Sequence, residues 1–97
     1  MKIVWLESAT DDFQEAIDWI ASKHQQAANN FAQSALWQVN QLGYFPQLGR
    51  IGRCQNTREL IIKKSHYIAV YRFDAAITTI QIIAVMDESQ QWPESFN

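Results

Sequence analysis

The spacing of the apolar residues changes period once along this chain, and that change constrains the fold more than any other feature. Up to residue 42 the residues recur at helical intervals: Phe13, Ala16, Ile17 and Ile20, then Ala28, Phe31, Ala35, Val39 and Leu42. Side chains three and four apart share one face of a helix, so each set is a stripe that must be buried. From residue 58 the pattern becomes the short runs of β-branched and aromatic residues typical of strands. A helical hairpin followed by a sheet is therefore predicted, an α+β order in which the hairpin covers one sheet face.

Local signals refine this order. Residues 2–6 read as a short N-terminal strand, and Ser8 is predicted to cap the first helix, with Asp11 and Asp12 near its positive end. Asp12, Glu15 and Asp18 are expected to face water. The helix should run to about Ser22, with a polar connection at Lys23, His24 and Gln25, and the second should close at Gly43 before Pro46. Trp19 and Trp37 are expected to help bury the seam between the helices. Residues 43–57 carry all three glycines without periodicity and read as a loop. Strands are predicted over residues 58–63, 67–73 and 77–86, pairing as an antiparallel meander. In the middle strand Tyr67, Ala69, Tyr71 and Phe73 share a face, and Ile68, Val70 and Arg72 share the other. The last strand is apolar on both faces, with Ile80, Ile82 and Ala84 on one and Ile83 and Val85 on the other. One hairpin covers one face only; the second face is closed by sheet curvature or by a partner, and a partner is the preferred expectation.

Composition bounds the function. With 97 residues, 47% hydrophobic and 19% charged, the chain suits a single domain spanning residues 1–97. No apolar run is long enough for a membrane span, and no signal peptide is evident, so a cytoplasmic location is expected. Cys54 is the only cysteine; no metal site and no cofactor are predicted. No Gly-x-x-x-x-Gly-Lys run exists to cradle a nucleotide phosphate. His24 and His66 fall at turns, where exposure is the simpler reading.

The net charge of -2 conceals a segregation. Residues 50–72 hold Arg50, Arg53, Arg58, Lys63, Lys64 and Arg72 against Glu59 alone, while acids dominate both flanks. Such a basic quarter serves either to keep a sheet edge soluble or to dock an anionic partner. The negative total argues against tight binding of DNA by this chain alone.

Four segments then carry a resemblance. Pro46-x-x-Gly49-Arg50-x-Gly52, Thr57-Arg58-Glu59-Leu60, Tyr67-x-x-x-Tyr71-Arg72 and Gln91-Trp92-Pro93 occur in the order and spacing of the RelE/ParE superfamily of bacterial type II toxins, which the chain resembles over nearly its whole length. The resemblance implies a small growth-arresting toxin, neutralised by an acidic antitoxin segment that folds onto it. Arg58, Lys63, Arg72 and Ile82 are the residues predicted to receive that segment.

The superfamily divides between RelE-like messenger RNA endoribonucleases acting on the ribosome and ParE-like inhibitors of DNA gyrase. Cleavage of RNA needs a base, an acid and cations around the phosphate. Here the last histidine is His66, the last tyrosine is Tyr71, and Asp87 stands where related chains often have histidine. A nuclease would have to rely on Arg58, Arg72 and Asp87, an incomplete set, and Asp87 with Glu88 also reads simply as a solvated strand exit. The ParE-like reading is preferred, with Arg50, Arg53 and Trp92 as the expected gyrase contact. The alternatives are the endoribonuclease, with ribosome and messenger as partners, and an inactive toxin retained in a complex that represses its own operon. Trp92 itself either caps the core or forms part of a binding hot spot.

Overall fold

Burial of the two helical stripes against one face of a sheet organises the molecule. The computed structural model describes residues 1–96 and runs β1 (Lys2–Trp5), α1 (Glu7–Lys23), α2 (Gln25–Asn40), a 3₁₀ turn (Gln41–Gly43), β2 (Arg50–Ile51), β3 (Arg58–Ile61), β4 (Tyr67–Asp74) and β5 (Thr79–Asp87). Ala28, Phe31, Ala35, Val39 and Leu42 are all buried, as their spacing requires. All but Ala28 share one core cluster with Leu60, Ala69, Tyr71, Ile80 and Ile82 from the sheet and Ile62 just past β3. Each large aliphatic or aromatic side chain so buried contributes about 1.5–3 kcal/mol. Trp5, Phe13, Phe31 and Tyr67 form a tilted aromatic row across this core, with successive centroids 5.2, 5.8 and 5.3 Å apart.

The sheet order is β1-β5-β4-β3-β2. The meander β3-β4-β5 is antiparallel, and β1 adds to β5 in parallel, Ile3 opposite Ile80 and Trp5 opposite Ile82. The N-terminal strand thus becomes an edge whose neighbour is the last strand. No helix is long and apolar enough to cross a membrane.

Several details depart from the sequence reading, each for a local reason. The helix begins at Glu7 after Leu6, which makes no side-chain cap. Ser8 lies in the first turn, and its hydroxyl donates to the Ile83 carbonyl at 2.9 Å. Asp12 is half-buried and turned to the sheet: its carboxylate accepts from the Val85 amide at 3.1 Å. Together they cover the edge of β5 beyond the reach of β1, so groups suited to capping a helix instead cap a strand edge. Burial raises the Asp12 pKa, and the bond from Val85 opposes that rise. Only His24 separates the helices; its Nδ1 accepts from the Ala27 amide at 3.1 Å and caps α2.

Trp19 and Trp37 are 60% and 63% exposed, not buried in the seam. Trp37 projects from the side of α2 opposite to Ala28 and Ala35, which are buried, and Trp19 sits at the margin of the α1 stripe, flanking Ala16 on the side turned to solvent. Lys23 sits over the Trp19 ring, its Nζ 4.7 Å from the centroid.

The predicted loop contains β2, a two-residue strand that pairs Arg50 with Glu59 and Ile51 with Arg58. In β5 a bulge interrupts the alternation: Val70 opposes Ala84 while Tyr71 opposes Ile82, leaving Ile83 as the extra residue. Ile83 and Ala84 therefore both join the second-face cluster with Ile68, Val70 and Met86, and Val85 pairs with Ala69. The chain covers this second face itself, through Leu6, Trp92 and Phe96. That is a correction to the preferred expectation of a partner.

Candidate partner-binding site

The residues that carry the sequence motifs interlock around the entry to β3. Tyr71 donates its hydroxyl hydrogen to the Pro46 carbonyl at 2.8 Å and accepts from the Gly49 amide at 2.8 Å. The Gly49 carbonyl in turn accepts from Arg58 Nη1 at 2.8 Å. Glycine is needed at 49 because a Cβ there would lie 2.7 Å from Tyr71 Cε1 and 2.8 Å from the Glu59 carbonyl oxygen. Gly52 is packed as closely against Thr57, whose hydroxyl donates to the Cys54 carbonyl at 2.7 Å. Spacing alone marked these residues; their shared cause is that two chain segments cross with no room for a side chain between them.

Glu59 is the centre of a second network and was missed as a site residue. Its side chain is only 2% exposed. Oε1 accepts from Arg50 Nε and Nη2 at 3.0 and 2.8 Å, and Oε2 from the Arg53 amide and Nε at 2.8 and 3.1 Å. Burial alone would raise its pKa, but the hydrogen bonds from Arg53 and Arg50 prevail and hold it at about 2. The Arg53 guanidinium also stacks on Trp92, 3.5 Å from the ring centroid. Trp92 Nε1 donates to the Asp87 carbonyl at 3.3 Å, and the Cys54 thiol to the Pro93 carbonyl at 3.4 Å. Arg50, Arg53 and Trp92 thus form one connected face, with both cations already partnered by a single carboxylate. The signal that could have revealed this was Glu59 itself, the only acid among residues 50–72.

Arg58 and Arg72 behave differently. Among the described residues neither has a carboxylate within ion-pair distance. Both line an open groove of about 770 Å³ with Ile51, Asn56, Thr57, Phe73 and Asp74. Arg72 Nε donates to Gln81 Oε1 at 2.8 Å, and Asp74 turns to its own turn, accepting from the Ala76 amide at 3.0 Å. Lys63 lies elsewhere, in a smaller recess of about 340 Å³ with Trp37, Leu48 and Ile61. Its amide donates to Gln38 Oε1 at 3.2 Å, which closes the outer edge of β3 at that point. Ile82 is wholly buried beneath the helices and has no surface to offer a partner. Its assignment to the antitoxin site is therefore corrected: the strand alternation places it in the core.

The structure does not bring Asp87 to the arginines. Asp87 pairs with Tyr67 and Arg72 with Gln81, five positions along β4, roughly 16 Å apart at the rise of a strand. The Asp87 carboxylate is occupied by the Ser89 hydroxyl and amide at 2.7 and 2.8 Å, bonds that lower its pKa. His66 is exposed and sits 3.0 Å from Glu88. Cys54 is buried. No group of His, Cys, Asp and Glu able to hold a metal is present among the described residues.

Comparison with known proteins is consistent with this geometry. The family described as ParE toxin of type II toxin-antitoxin system, parDE, matches residues 3–92. A curated relative named "Putative toxin Y4kP", from Sinorhizobium fredii (strain NBRC 101917 / NGR234), is 39% identical over 56 residues, which span 58% of this chain and 55% of that protein. The solved structure titled "Chromosomal ParDE TA system from P. aeruginosa" contains a chain that superposes with a TM-score of 0.79 at 21% identity, over 90% of this chain and 95% of that one. The α+β architecture is thus one already seen, a hairpin on a mainly antiparallel sheet.

Proposed function

The chain belongs to the ParE toxin family of type II toxin-antitoxin systems, and from that premise we propose that it inhibits DNA gyrase by binding it and is neutralised by an acidic antitoxin segment. It acts in the cytoplasm, as a binder and not as a catalyst. The separation of Asp87 from Arg58 and Arg72 supports the choice of gyrase over messenger RNA: cations and base stand at opposite ends of β4, too far apart to serve one phosphate. The connected face of Arg50, Arg53 and Trp92 has the composition of a binding hot spot and is the gyrase contact in this reading. Arg58, Arg72 and Lys63 receive the antitoxin, since among the described residues their charges have no carboxylate partner.

A supercoiling assay with purified gyrase, run beside a cleavage assay on ribosome-bound messenger, tests the target. Inhibition of supercoiling with intact messenger is the expected result. Messenger cleavage that disappears in Arg58→Ala would transfer the chain to the nuclease branch, and silence in both assays would leave it as an inactive member of a repressing complex.

A further inference from the structure

Residues 24–49 contain no Asp, Glu, Lys or Arg, so all such residues lie outside α2 and the turn and loop that follow it. The side of α2 turned from the core carries amides and one large ring. Gln26, Asn30, Gln33, Trp37 and Asn40 recur there at intervals of three and four, and all are exposed. Gln26 Nε2 donates to Asn30 Oδ1 at 3.0 Å, which satisfies part of this polar surface along the helix itself. Beyond the 3₁₀ turn the face becomes apolar. Tyr44 and Phe45 are 80% and 60% exposed and both donate their amides to the Gln41 carbonyl, while the half-exposed Leu48 donates its amide to the Phe45 carbonyl. Gln41 and Leu48 line one recess with Trp37, so Trp37, Tyr44, Phe45 and Leu48 make a continuous ridge.

We propose that this ridge pairs with the same ridge of a second copy of the chain about a two-fold axis, with Trp37 near the axis and the two α2 helices antiparallel. Charge selects the occupant. In a two-fold pair the residues around the axis meet their own copies, so a charged face sets like charges together. That opposes self-pairing of the α1 face, with Asp11, Glu15 and Asp18, and of the basic face, with Arg58 and Arg72. The α2 face has no charge to repel, and by the same neutrality an acidic segment gains nothing there. Composition agrees, since the cores of homodimer interfaces are rich in aromatic residues and poor in Lys, Glu and Asp. At about 150–250 Å² per ring, Trp37, Tyr44 and Phe45 together expose roughly 300–500 Å². That is the size of the largest apolar patch on a typical monomer, and doubled across the axis it approaches the roughly 1,000 Å² of a specific contact. An interface of this size is weak, with a Kd on the order of 10–100 µM. Dilute protein is therefore monomeric, and there Trp37 behaves as an ordinary surface residue.

Sedimentation equilibrium of the full chain over roughly 1–500 µM brackets the expected Kd and tests the pairing. A monomer–dimer equilibrium is expected, with the Kd raised about tenfold or more in Trp37→Ser and in Tyr44→Ser. Gln33→Glu leaves the ridge intact but brings a charge into the neutral face, and should weaken the dimer as well. Ile77→Ser removes an equally exposed apolar side chain from the turn between β4 and β5 and should change nothing. Circular dichroism of dilute samples verifies that each variant is folded. The dimer should also be indifferent to salt, because the paired face carries no charge. A monomer at every concentration overturns the pairing, as does a dimer that Trp37→Ser leaves intact or that Ile77→Ser weakens equally. A dimer that dissolves in salt overturns it too, and assigns the contact to the acidic face of α1 against the basic residues of another copy.

Discussion

Glu59 holds together what would otherwise repel. Arg50 and Arg53 are brought side by side by the turn after β2, and the buried carboxylate between them makes that arrangement favourable. Because its pKa falls from the ordinary 4.5 to about 2 on folding, the folded state binds this proton more weakly than the unfolded chain does. The stability it contributes is therefore complete above the unfolded value and is lost as pH falls from about 4.5 towards 2. Glu59→Gln should cost about 1.5–3 kcal/mol near neutral pH, the usual worth of hydrogen bonds to a charged group. The deficit should shrink to nothing in strong acid, where the parent is protonated too. Thermal unfolding of both proteins across the acid range checks this, and parallel curves would mean that Glu59 contributes no proton linkage.

At the scale of elements, what was legible followed from period. The stripe from Ala28 to Leu42 and the strands of the meander were readable because burial of one face repeats every 3.6 or 2 residues. Trp19 and Trp37 were misplaced because their size invites burial, while Trp37 projects from the side of α2 opposite to the stripe and Trp19 falls at the margin of its own. β2 is too short to show any period, and the bulge at Ile83 depends on pairing that no single strand encodes. The motif glycines were visible as motifs, but their cause, contact with Tyr71 and Thr57, is a long-range one. Lys63 was placed with Arg58 and Arg72 on charge, yet its recess is a different one. The exposure of Trp37 has a direct consequence: Trp37→Ser should change stability by no more than about 0.5 kcal/mol, the range for surface substitutions. A seam tryptophan would cost about 3–5 kcal/mol instead. Urea denaturation distinguishes these outcomes easily, and a cost in the upper range would return Trp37 to the core.

At the scale of the whole molecule, both ends of the chain close the same surface. Leu6, just after β1, and Trp92 and Phe96, after β5, pack on the second-face cluster of Ile68, Val70, Ile83, Ala84 and Met86. Trp92 is thus a core residue and a candidate gyrase contact at once, and loss of function on its removal cannot by itself separate the two. Magnitudes show how to separate them. A half-buried tryptophan cut back to alanine should cost about 2–4 kcal/mol, below the full value for a buried ring. For a domain of this size that lowers the melting temperature by roughly 8–32 °C, since each kcal/mol is worth about 4–8 °C. Trp92→Phe keeps a ring beneath Arg53 and most of the buried area, but removes the indole N–H that reaches the Asp87 carbonyl. It should lower the melting temperature by only a few degrees, about 1 kcal/mol. Gyrase inhibition measured with Trp92→Phe well below its melting temperature then reports on contact alone. A marked loss there, with the fold intact, places the indole at the gyrase surface. Full inhibition by Trp92→Phe, with a collapse of stability in Trp92→Ala, would assign Trp92 wholly to the core and leave Arg50 and Arg53 to make the contact.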